Sequence, residues 1–236
     1  MSIRTISLAV HGAAAALALV LAAPPALAAD AQHPTVVELF QSQGCSSCPP
    51  ANANAIALSS RPDLLVLSFG VTYWDQLGWK DTFASPRYTE RQWDYARALH
   101  HTDVWTPQVV VNGRADVVGV RRDELDDLIR REDRGGGGPT IILDGDRVSI
   151  GGGNTRRAAE VLLVRYNPNI VQVPIQRGEN AGKTLPHKNV VKELVRLGAW
   201  SGAAESYRLP PSAPGLKTAL LVQEGPGGPI LAAAKL

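Results

Sequence analysis

The sequence predicts an α/β fold: an N-terminal βαβαββα domain followed by a C-terminal β-rich appendage. Three observations carry this. Short apolar, β-branched runs alternate with helical runs through the first half of the chain. The only two cysteines stand together as Cys45-Ser46-Ser47-Cys48, directly after the first such run. Thr106-Pro107 opens a later run.

Ahead of the first strand, Met1 to Arg4 is a short basic start and Ile6 to Leu21 is apolar and alanine-rich. Pro24-Pro25 then precedes the small-x-small pattern Ala26-Leu27-Ala28. These are the three regions of a secretory signal peptide, with cleavage expected after Ala28. An uncleaved membrane anchor needs a longer uninterrupted apolar stretch. No cysteine stands at the cleavage point, so no lipid anchor is expected. The protein is thus expected in the periplasm or outside the cell, without membrane insertion after cleavage, where thiols meet an oxidising environment. Loss of Arg4 with the leader takes the formal charge from +2 to +1. That balance argues against nucleic acid or an anionic membrane as the partner.

Thr35 to Phe40 reads as a buried strand, and the cysteine loop follows it. Ala51 to Ser60 reads as a helix, with Ala51, Ala55 and Leu58 on one face. Pro49 and Pro50 suit its first turn and Arg61-Pro62 ends it. Leu64 to Phe69 is a second strand. The loop from Val71 to Phe83 carries Tyr73, Trp74 and Trp79. Ser85-Pro86 starts a helix, with Trp93, Ala96 and Leu99 expected inward. Gln108 to Val111 and Ala115 to Val118 read as a hairpin turned by Asn112-Gly113. Asp123 to Arg131 is an amphipathic helix, acidic early and basic late. This order, with a dithiol after the first strand and a proline at the third, is the layout of the thioredoxin fold.

Gly135 to Gly138 reads as a flexible linker. It divides an expected domain at 29–134 from a β-rich region at 139–236. Strands are expected there at 140–143, 147–150, 161–166, 170–175, 219–223 and 230–234, while Asn189 to Trp200 suits helix or strand. Gly151-Gly152-Gly153-Asn154 lacks the Lys and Ser/Thr of a phosphate-binding loop and reads as a turn.

The cysteine pair admits three chemistries. As a catalytic dithiol, a thiolate at a helix start is stabilised by free N–H groups and the helix dipole. Cys45, the outer residue, would attack a partner disulfide and Cys48 would resolve the mixed disulfide. Pro107, expected after a cis bond, would face the dithiol, with Thr106, Tyr73, Trp74 and Trp79 as candidate substrate contacts. Trp74 and Trp79 otherwise pack. As a structural staple, so short a loop contributes on the order of 2 kcal/mol. As a metal site, two thiolates suit Cu(I) but make only half of a closed zinc site. His33, His100, His101 and His187 are not at ligand spacing from the cysteines, and neither metal ligands nor a cofactor are assigned. Asp75 and Asp81 either assist proton transfer to Cys48 or are solvated loop acids. His100-His101 caps a helix end.

The runs V-E-L-F-Q-S-Q-G-C-S-S-C-P-P-A, Y-W-D-Q-L-G-W-K-D and T-P-Q-V-V-V-N-G resemble a secreted bacterial thioredoxin-like family catalogued as domain of unknown function twelve-twenty-three. R-G-E-N-A-G-K-T-L and G-P-I-L-A-A-A are similar to its C-terminal part. The resemblance implies a thioredoxin-like domain with an added C-terminal β region and a dithiol at Cys45 and Cys48. It implies no known substrate. Family members often carry a histidine and an aspartate just before the Y-W-D, where this chain has Gly70 and Thr72, which weakens the copper reading. The expected function is a periplasmic thiol-disulfide oxidoreductase whose partners are protein thiols and disulfides and an unidentified redox protein. The alternatives are a non-catalytic binding protein of the same fold and a Cu(I)-handling protein.

Overall fold

The computed structural model describes Met1 and residues 28–236; of the expected leader, 1–28, residues 2–27 lie outside the described residues. Among the described residues no helix is long and apolar enough to cross a membrane. The molecule is mixed α/β, as the sequence predicts.

Strand β1 (Thr35–Gln41) is buried along its whole length and pairs in parallel with β2 (Leu64–Gly70). Helix α1 (Cys48–Leu58) connects them. Helix α2 (Pro86–Ala98) follows the aromatic loop. The hairpin β3 (Gln108–Val111) and β4 (Ala115–Val117) then adds to the other side of β1. Its three-residue turn, Asn112 to Arg114, places Asn112 at φ 48° and Gly113 at φ 63°, the left-handed region that asparagine and glycine tolerate. Helix α3 (Arg122–Arg131) closes this half.

Side-chain alternation along β1 sends successive residues to opposite faces. Val37 and Leu39 pack with Ala51, Ala55 and Leu58 of α1 and Leu125 and Leu128 of α3. Val36 and Phe40 pack on the other face with Tyr88 and Tyr95 of α2. Of the three residues the apolar spacing predicts inward on α2, Ala96 alone is fully buried. Tyr88, Arg91, Gln92, Tyr95 and Ala96 are buried, while Trp93 and Leu99 are partly exposed. The reason is an internal ion pair: Arg91 Nε donates to Glu38 Oε1 at 2.8 Å and Arg91 Nη2 to Oε2 at 3.0 Å. Gln223 Oε1 accepts from Arg91 Nη1 at 3.0 Å.

The second half supplies β5 (Ile141–Asp144), β6 (Arg147–Ile150), β7 (Ala159–Asn167), β8 (Val171–Pro174), β9 (Thr184–His187), β10 (Val190–Trp200), β11 (Glu205–Arg208), β12 (Lys217–Glu224) and β13 (Ile230–Lys235). The largest sheet has eight strands in the order β13-β12-β7-β10-β2-β1-β3-β4. The β-rich region therefore continues the first sheet rather than forming a body beyond a linker. Val190 of β10 meets Ser68 of β2 in parallel, and Asn189 Nδ2 donates to Val66 O at 2.8 Å. Leu162, Val164, Leu194 and Leu221 join Phe40, Leu65 and Phe69 in one core. The glycine run is not a free spacer either. A Cβ on Gly138, at φ 103°, would stand 2.0 Å from Leu231 O.

Residues 190–200, which suited helix or strand, form a strand with two irregularities, between Val191 and Glu193 and between Arg196 and Gly198. Each inserts a residue and breaks the strict two-residue alternation, which is why the apolar spacing mimics a helix. Strands β9 and β11 were not legible: β9 contains Pro186 and β11 is mostly polar and exposed. Strand β9 pairs only with β8, in a small hairpin apart from the large sheet.

Candidate functional site

The cysteine loop leaves β1 at Gln41 and enters α1 at Cys48. Pro49 and Pro50 occupy the first helical turn, where a missing N–H breaks no helix bond. Cys45 and Cys48 are joined in a disulfide with their Cα atoms 5.5 Å apart. Ser47 makes no side-chain cap at the helix start, where Cys48 N donates to Cys45 O at 3.3 Å and Pro49 and Pro50 carry no N–H. Its hydroxyl instead lies 3.3 Å from Cys45 Sγ and donates to Thr106 O at 3.4 Å. A disulfide sulfur carries no proton, so the hydroxyl is the only donor here. After reduction the same hydroxyl is in reach of a Cys45 thiolate.

The Thr106–Pro107 peptide is cis, and Pro107 is buried. Thr106 joins three candidate segments. Its carbonyl meets Ser47, and its hydroxyl accepts from Trp74 Nε1 at 2.7 Å. Tyr73 and Trp74 pack against the core around Phe40 and Phe69, and burial pushes the Tyr73 hydroxyl up to about 12. Trp79 stands apart from this group. Its Nε1 donates to Gln43 Oε1 at 2.9 Å, and its ring packs against Val173, Ile175 and Leu185 of the β8–β9 hairpin.

Asp81 is buried, not a solvated loop acid. Its carboxylate accepts from Gln43 N and Phe83 N, both at 2.7 Å, tying the aromatic loop to the cysteine loop. Burial raises its carboxyl above the ordinary carboxylate range, partly offset by those backbone bonds.

Cys45, expected on the outside, is fully buried, and Cys48 is 2% exposed. The cause lies 135 residues further on: Asn180 Nδ2 donates to Cys45 O at 2.9 Å, and to Gln43 O at 3.0 Å. Glu179 accepts from Ser46 N at 3.2 Å, and the Ser46 side chain together with this backbone bond lowers its carboxyl. Lys183 Nζ donates to Asn180 Oδ1 at 2.9 Å and fixes the amide. The loop between β8 and β9 thus lies over the disulfide. These residues were missed as site residues, although R-G-E-N-A-G-K-T-L, which carries part of the family resemblance, holds three of them.

Among the described residues no group of three or more His, Cys, Asp or Glu converges as metal ligands do. The two cysteine sulfurs alone are an incomplete set for a closed zinc site. What the arrangement can do chemically is exchange disulfides. It has two sulfurs three residues apart at a helix start, a hydroxyl beside the first sulfur, and a facing backbone carbonyl.

A family model described as "Protein of unknown function (DUF1223)" matches residues 36–223. No curated protein matches the chain. Among solved structures, protein AGR_C_4864 from Agrobacterium tumefaciens is similar at 34% identity and a TM-score of 0.70, covering 86% of this chain and 93% of that one. HBP35 of Porphyromonas gingivalis shares 14% identity with a TM-score of 0.58, over 87% of this chain and 75% of that one, a likeness of fold alone.

Proposed function

From a chain that belongs to the DUF1223 family, a membership that assigns no activity, we propose a thiol-disulfide oxidoreductase of the periplasm or extracellular space. Cys45 and Cys48 form its working dithiol. The observation that carries the reading is the meeting of three segments at the sulfurs: the helix start at Cys48, the Ser47 hydroxyl, and the backbone of Thr106. The strand and helix order of the first half supports a thioredoxin-like frame for it. The N-terminal leader pattern supports an oxidising compartment, and protein thiols and disulfides are the proposed substrates.

In the reduced protein the Cys45 thiolate attacks one sulfur of a partner disulfide. The partner's S–S bond breaks and its second sulfur leaves as a thiolate. Cys48, as thiolate, then attacks Cys45 Sγ and displaces the first partner sulfur. Two electrons pass from the dithiol to the partner, and the reverse sequence oxidises a partner dithiol. Thr106, Trp74 and Tyr73 are the proposed partner contacts, and Pro107 shapes the facing wall.

The burial of Cys45 favours a second reading, a binding protein whose disulfide is inert. Two measurements separate them. A Cys48→Ser variant, reduced and mixed with periplasmic extract, should trap thiol-sensitive adducts through Cys45. Alkylation of reduced wild-type protein against pH should show a thiolate titrating below the ordinary value of about 8.5. No adduct, together with a thiol at or above that value, rejects the enzyme.

A further inference from the structure

In the dithiol reading, on which this inference rests, Cys48 must become a thiolate while buried, and its proton needs a destination. Burial among neutral groups raises a thiol's pKa rather than lowering it. Behind Cys48 lies a cavity of about 40 Å³, lined among others by Gln41, Ser42, Asn52 and His187. That is room for about one water molecule, and the lining is polar enough to hold it. Two lining side chains are already engaged. Gln41 Nε2 donates to Asn52 Oδ1 at 3.0 Å and to Ser68 Oγ at 2.7 Å, and Asn52 Nδ2 donates to Pro186 O at 2.5 Å.

His187 is different. It is 3% exposed, and its Nε2 has no hydrogen-bond partner among the described residues. Buried polar atoms without a partner are few in folded proteins and call for a reason. The groups around the ring are nearly all neutral. Cys48 and Asn52 approach from α1, and Val171 is its partner on β8. Phe83 meets the ring edge-on at 5.5 Å. Lys192 of β10 lies above the Phe83 ring at 4.2 Å, with Asp81 acting on that lysine, and Lys188 follows in the chain. None of these charges moves the imidazole. Burial alone pushes it down, to about 4, so it is neutral at ordinary pH and free to accept a proton.

We propose that His187 is the proton acceptor for Cys48, working through one water in this cavity. As Cys48 attacks Cys45 Sγ of the mixed disulfide, its proton passes to the water and a water proton passes to the imidazole. The Cys45–Cys48 bond forms and the partner sulfur leaves as a thiolate. The imidazolium then returns its proton to solvent or to that thiolate. Thiolate and imidazolium appear together, so each offsets the cost of burying the other.

A chromogenic aromatic disulfide added to the reduced protein reads the two steps separately. Attack by Cys45 releases one coloured thiolate, and resolution by Cys48 releases a second. His187→Gln should slow the second release on the order of 100-fold and leave the first unchanged. With an internal acceptor the wild-type second release should be nearly flat from about pH 5 to 8. In the variant, where hydroxide must take the proton, it should rise about tenfold per pH unit. An unchanged rate and a flat profile in the variant overturn the proposal. A tenfold-per-unit slope in the wild type overturns it too, without any variant. Loss of the first release in the wild type is a separate outcome, since it sinks the dithiol reading itself and this inference with it.

Discussion

Glu38 and Arg91 sit at 0% and 6% exposure in the middle of a core, where neither charge is tolerable alone. Arg91→Ala should therefore cost about 3–5 kcal/mol in denaturant unfolding, because it leaves a carboxylate buried and unpaired. The joint change Glu38→Leu with Arg91→Met should cost far less, since it removes both charges and keeps the volume. His187 gives a second test at this scale. Its folded pKa is depressed, to about 4 from 6.5, so the unfolded chain takes up the proton first as pH falls. Stability is full above about pH 6.5 and is lost on descending to about 4, by roughly 3 kcal/mol from this group. The His187→Gln variant should show a correspondingly shallower acid loss in urea titrations. Residues such as these were the least legible in the sequence. Cys45, Cys48 and Pro107 announce themselves by spacing, whereas Glu38, Arg91 and His187 look like surface residues until the fold encloses them.

The β8–β9 hairpin lies outside the large sheet and is held by side-chain contacts: the Asn180 amide, the Glu179 carboxylate, the Asn52 amide on Pro186 O, the Phe83 ring on His187, and the apolar base around Val173, Ile175 and Leu185. Opening such an element costs less than unfolding the sheet. Asn180→Ala removes three hydrogen bonds of a fully buried residue, two of them to the cysteine loop. Reduction of the disulfide by dithiothreitol should speed up by about 10- to 100-fold, while global stability falls by only about 1–3 kcal/mol. An unchanged reduction rate would mean that the loop does not limit access to the sulfurs. Strands β1, β2 and β3 and all three helices were legible: the strands are short apolar runs, prolines mark the starts of α1 and α2, and α3 is amphipathic with acids early and arginines late. Strand β8 was legible within 170–175, but its partner β9, which contains Pro186, was not.

Across the whole molecule, the eight-stranded sheet crosses the expected boundary at 135–138. A fragment ending at 134 would expose the β2 edge and lose Leu162, Val164, Leu194 and Leu221 from the core. It should fail to give a cooperative transition, and the full chain should unfold in a single one, by circular dichroism and tryptophan fluorescence alike. The sequence suggested two bodies because the glycine run resembles a spacer; the tight fit of Gly138 against Leu231 is a long-range fact that no local pattern carries. The distance along the chain between Cys45 and Asn180 has a further consequence. A ribosome delivers the thiols long before the loop that covers them. During that interval the Asn180 and Glu179 contacts over Cys45 do not yet exist, so the pair is more open to whatever oxidant or partner is at hand. They become guarded only when the last third of the polypeptide docks.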